Sequence, residues 1–378
     1  MQALSRVSAI MFKELRQLAR DRLTFGMVVM LPLIQLILFG YAINNNVRNI
    51  PVAVVDLAHS SASRAIVDMV RATQVVQILA HYDAPEEAEA AITRGEVRAA
   101  LILPADLEQR LLTPTLTRPA GQWLIDGSDN IAASALLALR NLPLTLRPGL
   151  PQLPPQQLSP QQLQPTPTFE AVLYFNPERR TPVNIVPGLS AIILTMTMIL
   201  FTSTAIVREK ERGNLELLIT TPVRSLELML GKIVPYILIG LVQTAIILGL
   251  GHVLFAVPIN GSILNILGAT LLFITASLTL GLLFSTLAKT QLQAMQLTVF
   301  ILMPSILLSG FVFPFEGMPR LAQMIAEILP ATHFMRMIRG VVLRGASLSD
   351  LSLDAGFLCA FTVVGLVVAT LKFQKSLD

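Results

Sequence analysis

Charge and cysteine are the scarcest features of this sequence. Only 14% of its 378 residues are charged, whereas an ordinary soluble domain carries about 25%. The mean hydropathy of +0.65 indicates that much of the surface faces lipid. The single cysteine, Cys359, lies in an apolar run and can form no internal disulfide. We expect it to pack as a small hydrophobic residue. The composition therefore predicts a membrane protein.

Sequence motifs for enzymatic chemistry are also missing. Gly231-Lys232 lacks the upstream glycine and the following hydroxyl of a phosphate-binding loop, and there is no H-E-x-x-H or paired CxxC. The four histidines are scattered, and carboxylates occur only in segments that we expect to be exposed. We therefore predict no catalytic residue, no metal site and no cofactor. Basic residues cluster beside apolar runs, which indicates a role in topology and argues against nucleic-acid binding.

Six apolar runs are long enough to cross a bilayer, because a helix needs about 20 residues to do so. We place them at 23–43, 184–207, 229–255, 263–287, 294–313 and 355–373. With an even number of spans, both termini lie on one side of the membrane. The basic residues of segment 1–22 place that side in the cytoplasm by the positive-inside rule. The predicted fold class is an α-helical polytopic membrane protein with six transmembrane helices.

Segment 1–22 has apolar residues at helical spacing and basic residues on the other side, which predicts a cytoplasmic amphipathic helix at the membrane surface. A soluble helix packed on another domain is the alternative. Residues 44–168 have soluble character. Strands are predicted at 50–56, 75–82, 97–103 and 122–125. They alternate with helices that begin near Ser60, Pro85, Asp106 and Asn130.

This alternation predicts an α/β domain with a partly parallel sheet, inserted outside the cytoplasm between spans one and two. It ends in a Pro/Gln-rich linker at 148–168, and residues 169–378 then form the transmembrane domain. Segment 314–354 contains two apolar helices, 321–329 and 334–343, separated by Pro330. Each is too short to cross, so we predict an extracytoplasmic re-entrant or interfacial hairpin.

The predicted spans contain no charged residue in their interiors, which argues against proton- or sodium-coupled transport. Neutral polar residues are common there. Such residues line a path for an amphiphilic substrate, or they hold helices together at about 0.6 kcal/mol per hydrogen bond. Both interpretations stay open for Gln35, Gln243, Thr275, Gln296 and Ser309. Energy for transport must then come from another chain.

A short, charge-dense loop at 208–228 lies between two spans and cannot bury a core of its own. Gly213 permits a break before a short helix, and Pro222 would end that helix. We predict that the loop contacts a partner protein; a solvated loop without a partner is the alternative. The residues assigned to this contact are Arg208, Glu209, Glu211, Arg212, Gly213, Leu215, Glu216, Leu218 and Pro222.

The block from Arg208 to Lys232 reads E-K-E-R-G-N-L-E, then T-P-V and Gly-Lys, and it resembles the first cytoplasmic loop of type-2 ABC exporter permeases. Asn176-Pro177-Glu178, Val186-Pro187-Gly188 and the hairpin with Leu329-Pro330 are similar to the same family. The large outer domain further resembles the subgroup of bacterial drug-exporter permeases that work with a periplasmic adaptor.

The resemblance implies a multi-pass inner-membrane permease that pairs with a second permease, identical or different, and binds two copies of an ABC ATPase subunit. In such families the loop corresponding to 208–222 enters a groove on the ATPase. The implied function is export of an amphiphilic or drug-like substrate by alternating access. A secondary transporter or channel is one alternative, and a membrane-anchored extracytoplasmic binding or sensing protein is another.

Overall fold

The computed structural model describes residues 48–112, 118–142, 168–211 and 225–372. Its first part is a five-stranded sheet with helices on both faces. The strands are β1 Ile50–Asp56, β2 Val76–Tyr82, β3 Ala99–Leu103, β4 Gly121–Asp126 and β5 Phe169–Tyr174. The helices are α1 Ser61–Ala72, α2 Pro85–Arg94, α3 Leu107–Leu112 and α4 Asn130–Ala138.

The spatial order of the strands is β2-β1-β3-β4-β5, and only β3 and β4 are antiparallel neighbours. The partly parallel sheet predicted from the sequence is therefore present. The β-branched run of β1 is buried in the middle of the sheet, with Ile50 and Val52 in one hydrophobic cluster and Ala53 and Val55 in another. β2 alternates between buried and exposed residues, as expected for an edge strand with one covered face.

Helix signals in this part act as the sequence predicts. Ser60 begins α1 with a capping box that it shares with Ser63. α2 starts at Pro85 and ends at Gly95, whose φ of 78° is a left-handed conformation that favours glycine. Residues Phe169–Tyr174, which follow the predicted domain boundary, form strand β5 and pair with β4 along its whole length. This strand was missed because its pairing depends on a partner more than 40 residues earlier in the sequence.

The second part is helical. Its long helices are α5 Thr181–Glu211, α6 Ser225–Phe255, α7 Ile263–Leu287, α8 Gln291–Leu308 and α11 Ser352–Lys372. All five are long and apolar enough to cross a membrane, in α6 from Pro235 onward. α5 is about 46 Å long at 1.5 Å per residue. Because the hydrocarbon core of a bilayer is about 30 Å thick, α5 is longer than a single crossing requires, and the charges of its last turn suit the membrane surface. Segments 1–22 and 23–43 lie outside the described residues.

Helix α8 begins and ends earlier than predicted. Its N-terminus is capped by the side chain of Thr290, which accepts a hydrogen bond from the backbone of Gln293. The helix ends at Leu308 rather than 313, since Ser309 is its last capping residue and Gly310 has a φ of +86°. The chain turns at this point and enters the hairpin.

The hairpin between α8 and α11 contains two short helices, α9 Arg320–Ile328 and α10 Pro330–Arg339, followed by a π-helical turn at Gly340–Arg344. Pro330 is the first residue of α10 rather than a separate linker. α10 is buried, and its Phe334 stacks on Phe273 of α7 with ring centroids 4.2 Å apart. α9 instead exposes the apolar side chains of Leu321, Met324 and Ile328.

Cys359 lies exposed on α11 and does not pack against other residues of the described chain, contrary to the expectation that it packs as a small hydrophobic residue. The reason is that α11 buries only a narrow stripe, formed by Leu358, Gly365 and Ala369. The rest of this helix presents apolar side chains outward, as a lipid-facing helix does.

Candidate functional site

The two ends of the helical part carry different chemistry. At one end, which we call the coupling end, the last turn of α5 meets the first residue of α8. The carboxylate of Glu211 accepts hydrogen bonds from the backbone and the side-chain amide of Gln291, at 2.9 and 2.5 Å. Nε of Arg208 lies 3.4 Å from Oε1 of Gln291. These contacts tie the stem of the loop after α5 to α8.

Gln291 was not among the residues predicted from the sequence. The one sequence feature that could have identified Gln291 is its position directly after the capping residue Thr290. A side chain at the start of a helix can reach the end of a neighbouring helix. Arg208, Lys210 and Glu211 are exposed, and Glu209 is partly buried. The other predicted coupling residues lie outside the described residues: Arg212, Gly213, Leu215, Glu216, Leu218 and Pro222.

The predicted substrate-path residues have different surroundings. Gln243 of α6 accepts a hydrogen bond from Thr197 of α5 at 2.9 Å, so it joins two helices. Thr275 donates to carbonyls of its own helix. Gln296 is partly buried on α8, and Ser309 is buried at the end of α8. Gln35 lies outside the described residues. The arrangement of Gln243 and Thr275 agrees with a packing role for these two side chains.

At the opposite end, which we call the domain end, the sheet part meets the helical part. Here Arg180 at the start of α5 donates to the carbonyl of Ala256 after α6, at 3.1 Å. Six charged side chains form what we call the interdomain seam. The seam residues from the sheet part are Arg98, Asp126 and Asp129, and those from the hairpin are Glu316, Arg339 and Arg344.

The seam is built around Asp126 at the end of β4, whose side chain has no exposed surface. One of its oxygens, Oδ2, accepts hydrogen bonds from Arg98 and Arg344, each at 3.3 Å. Arg98 also donates to Glu316 at 2.9 Å, and so it binds the hairpin directly. Arg344 is only 4% exposed. The expectation that carboxylates occur only in exposed segments is therefore wrong.

Electrostatics favour the ionised forms of Asp126, Glu316 and Arg98 despite their burial. Burial raises the pKa of Asp126, but Arg344 and Arg98 outweigh that effect and hold it below its ordinary value. Burial likewise raises the pKa of Glu316, and Arg98 brings it below the usual range. Glu316 in turn raises the pKa of Arg98. Because buried charges are stable only when paired, the sheet part and the hairpin hold each other in place.

A second cluster fixes the hairpin to α11. Nδ1 of His333 lies 2.7 Å from Oδ1 of Asp354 at the start of α11, and Nε2 lies 3.0 Å from the carbonyl oxygen of Glu327. Arg336 donates to the carboxylate of Glu327 at 2.6 Å. The ring of His333 stacks on Phe357 of α11, with centroids 3.8 Å apart. α9, α10 and α11 therefore meet at one polar contact.

A cavity of about 440 Å³ lies against the seam. Arg98 and Arg339 contribute charged walls, and Phe315, Met335 and Leu353 contribute apolar ones. Ser309, one of the predicted path residues, also lines this cavity, and its hydroxyl has no hydrogen-bond partner among the described residues. The structure thus places this residue at the domain end, away from Gln243 and Thr275.

These features define a polytopic membrane protein whose helical part carries a charged loop stem at one end and a sheet at the other. The family model described as "ABC-2 family transporter protein" matches residues 22–371. The chain therefore belongs to the ABC-2 transporter family, as the permease subunit of an ABC exporter. The permease of this family is not itself the ATPase, and membership implies an ATPase partner and a membrane location.

Curated relatives cover nearly the whole chain. The chain is 29% identical over 380 residues to "Probable multidrug ABC transporter permease YbhS" of Escherichia coli (strain K12). This alignment covers 99% of this chain and 98% of that protein. It is 30% identical over 349 residues to "Probable multidrug ABC transporter permease YbhR" of the same strain, and this alignment covers 91% of each protein. No solved structure matches the chain.

Proposed function

We propose that this permease exports an amphiphilic or drug-like substrate from the cytoplasm or the inner leaflet by alternating access. Energy comes from two copies of a separate ATPase subunit. The word "multidrug" in the names of both relatives supports the substrate class. The apolar parts of the five described spans, with charges only at their ends, suit an amphiphile better than a coupled ion.

The observation that carries the proposal is the anchored end of α5. Glu211 and Gln291 join α5 to α8 at the point where the chain enters the loop. A force applied to that loop reaches two spans at once through this contact. Residues 208–222 therefore form the ATPase contact, in which Glu209, Glu211 and Glu216 pair with basic residues of the partner. Such charges give orientation more than affinity.

Exchanging carboxylates of the loop for lysines tests this contact. We expect Glu211→Lys with Glu216→Lys to remove most of the co-expressed ATPase that co-purifies with the permease, because the charge complementarity is reversed. Membrane insertion stays unchanged. The matched control reverses two exposed carboxylates of the sheet part, Asp68→Lys with Glu87→Lys, and keeps the ATPase bound. Unchanged co-purification of the loop variant contradicts the proposal.

A further variant separates binding from coupling. Gln291→Ala removes the anchor of Glu211 and leaves the charge of the loop intact. We expect this variant to keep the ATPase bound and to lower substrate-stimulated ATP hydrolysis. Loss of ATPase binding in Gln291→Ala would instead assign the contact to the α8 end itself.

The proposed topology has six spans, with segment 23–43 as the first and both termini in the cytoplasm. The sheet part and the hairpin then lie outside the cytoplasm, and the bacterial inner membrane is the location. Arg208, Lys289 and Lys372 follow or precede spans at the coupling end, which supports that end as the cytoplasmic one. The subunit pairs with a second permease, identical or different, and a periplasmic adaptor contacts the outer domain.

Single cysteines test this topology. In a Cys359→Ser background, Asp68→Cys on the sheet part and Lys210→Cys at the coupling end are both exposed. We expect a membrane-impermeant thiol reagent to label Asp68→Cys in intact spheroplasts and Lys210→Cys only after lysis. Labelling of both from the same side is the result that overturns the assignment.

A further inference from the structure

Arg339 is the arginine of the interdomain seam that lies farthest from a carboxylate. Its Nη1 donates to the carbonyl of Gly310 at 3.0 Å and lies 3.8 Å from Oδ2 of Asp129. Its buried Nε has no hydrogen-bond partner among the described residues, and the same holds for Nε of Arg344. Arg98, in contrast, has carboxylate oxygens at 2.9 and 3.3 Å. Because a guanidinium carries five N–H donors, Arg339 keeps donors for a further acceptor.

The carboxylate nearest to Arg339 is already engaged elsewhere. Oδ1 of Asp129 caps α4, where it accepts hydrogen bonds from the backbones of Ile131 and Ala132. The negative charge of Asp129 therefore also stabilises a helix N-terminus. At 3.8 Å from Nη1 of Arg339, Asp129 accepts no hydrogen bond from that arginine.

The other carboxylates on the cavity walls are bound as well. Glu316 accepts from Arg98 at 2.9 Å, and Asp354 lies 2.7 Å from His333. Asp350 accepts from Ser347, and Glu96 accepts from Arg94 at 2.7 Å. Acidic and basic residues both line the cavity, but each of these carboxylates already has a polar neighbour, whereas Nε of Arg339 and Nε of Arg344 have no partner among the described residues.

The cavity also has the size and the apolar surface of a small-molecule site. Its volume of about 440 Å³ falls within the range of roughly 300–1,000 Å³ found for ligand pockets. Phe315, Met335 and Leu353 form apolar walls beside Arg339. An arginine beside apolar side chains is complementary to a molecule with an anionic head and an apolar tail.

We propose that this cavity binds the oxygen-rich anionic headgroup of an amphiphile, a phosphate, sulfonate or carboxylate, with Arg339 as its principal donor. The apolar tail lies against Phe315, Met335 and Leu353. A bilayer lipid and a soluble amphiphile present the same headgroup chemistry. Use of the site by an exported substrate rests on the proposed function, whereas binding itself does not require the ATPase.

The test measures binding to the full permease alone, reconstituted in nanodiscs of phosphatidylcholine. The probe is dodecyl phosphate, and dodecyltrimethylammonium is the comparison with the same tail and the opposite charge. We expect Arg339→Gln to weaken the binding of dodecyl phosphate by about tenfold or more, since a charge-assisted hydrogen bond is lost. Arg339→Lys restores part of the affinity. Arg71→Gln, an exposed arginine of α1, leaves it unchanged.

A second pair of variants tests the site without disturbing the packing of the fold. Leu353 lines the cavity and is 90% exposed, so its replacement removes no packing. Leu353→Glu should weaken the binding of dodecyl phosphate several-fold, and Leu353→Lys should strengthen it, because the added charge lies at the rim of the site. Equal affinity in the wild type, Arg339→Gln and Leu353→Glu overturns the proposal. So does tighter binding of dodecyltrimethylammonium.

Anionic lipid separates the two sources of the headgroup. If phosphatidylglycerol in the nanodisc competes with dodecyl phosphate for the wild type but not for Arg339→Gln, the occupant is a lipid. Absence of competition, with the Arg339 effect retained, identifies a soluble amphiphile. The binding of dodecyl phosphate is measured without the ATPase. A failed ATPase co-purification test would therefore contradict the proposed function and leave the result for this cavity unchanged.

Discussion

Replacing Asp126 by asparagine is expected to destabilise the sheet part by about 3 kcal/mol. The substitution keeps the shape of the side chain and removes the charge on which Arg98 and Arg344 converge. Arg98 retains Glu316, but Arg344 loses its carboxylate partner while it stays only 4% exposed. An amide nitrogen at the position of Oδ2 would also face two guanidinium groups. Breaking a buried pair by removing one partner is costly for this reason.

The chain supplies its own probe for this measurement. Trp123 is the single tryptophan, and it lies fully buried in β4, three residues before Asp126. Its fluorescence during urea unfolding therefore reports on the affected strand. Asp68→Asn is the matched control, because Asp68 pairs with Arg71 at 3.9 Å on the surface, with both side chains 60% exposed. We expect a loss below about 1 kcal/mol there. Equal losses for Asp126→Asn and Asp68→Asn would show that the seam is not structural.

Gly281→Ala is expected to destabilise the packing of α7 against α5 by about 1–3 kcal/mol. A Cβ atom at Gly281 would lie 2.9 Å from the backbone oxygen of Ile199 and 2.9 Å from Cβ of Thr202. Both neighbours belong to α5, and neither is the end of a flexible side chain. The two helices must therefore separate, as expected where small residues let transmembrane backbones approach closely.

Gly249→Ala is the same change at a site where a Cβ meets nothing within 4 Å. Since alanine favours a helix over glycine by up to about 1 kcal/mol, we expect this variant to be as stable as the wild type or slightly more stable. Thermal unfolding of both variants in the same detergent measures the difference. A loss at Gly249 as large as at Gly281 would mean that this face of α6 is covered in the native assembly.

Local patterns allowed much of this fold to be predicted. β1 was predicted with the bounds that it has, and α1 and α2 start at their predicted signals, a serine cap and a proline. The span predicted at 263–287 coincides with α7. Each of these features depends on the hydropathy or capping of a few neighbouring residues, and so it needs no knowledge of distant partners.

The candidate site could be predicted only in part. Glu211 was assigned to partner contact from the charge of its loop, but its anchor Gln291 is 80 residues away and has no distinctive pattern. Ser309 was predicted on the substrate path with Gln243 and Thr275, yet it lies in the cavity at the domain end. A neutral polar residue in an apolar run has the same sequence signature whether it packs helices or faces a cavity.

The sequence by itself determined that this is a polytopic membrane protein of the ABC-2 family, with an α/β segment before the five described spans and a charged segment between two of them. Hydropathy and family motifs are contained in short stretches of sequence, which is why they suffice for these conclusions. Only the tertiary structure decided that Arg98 meets Glu316 and that Asp126 meets Arg344, each pair separated by 218 residues. The sheet and the hairpin bring these charges together, and burial makes their pairing obligatory, because an unpaired charge in that seam would be too costly to retain.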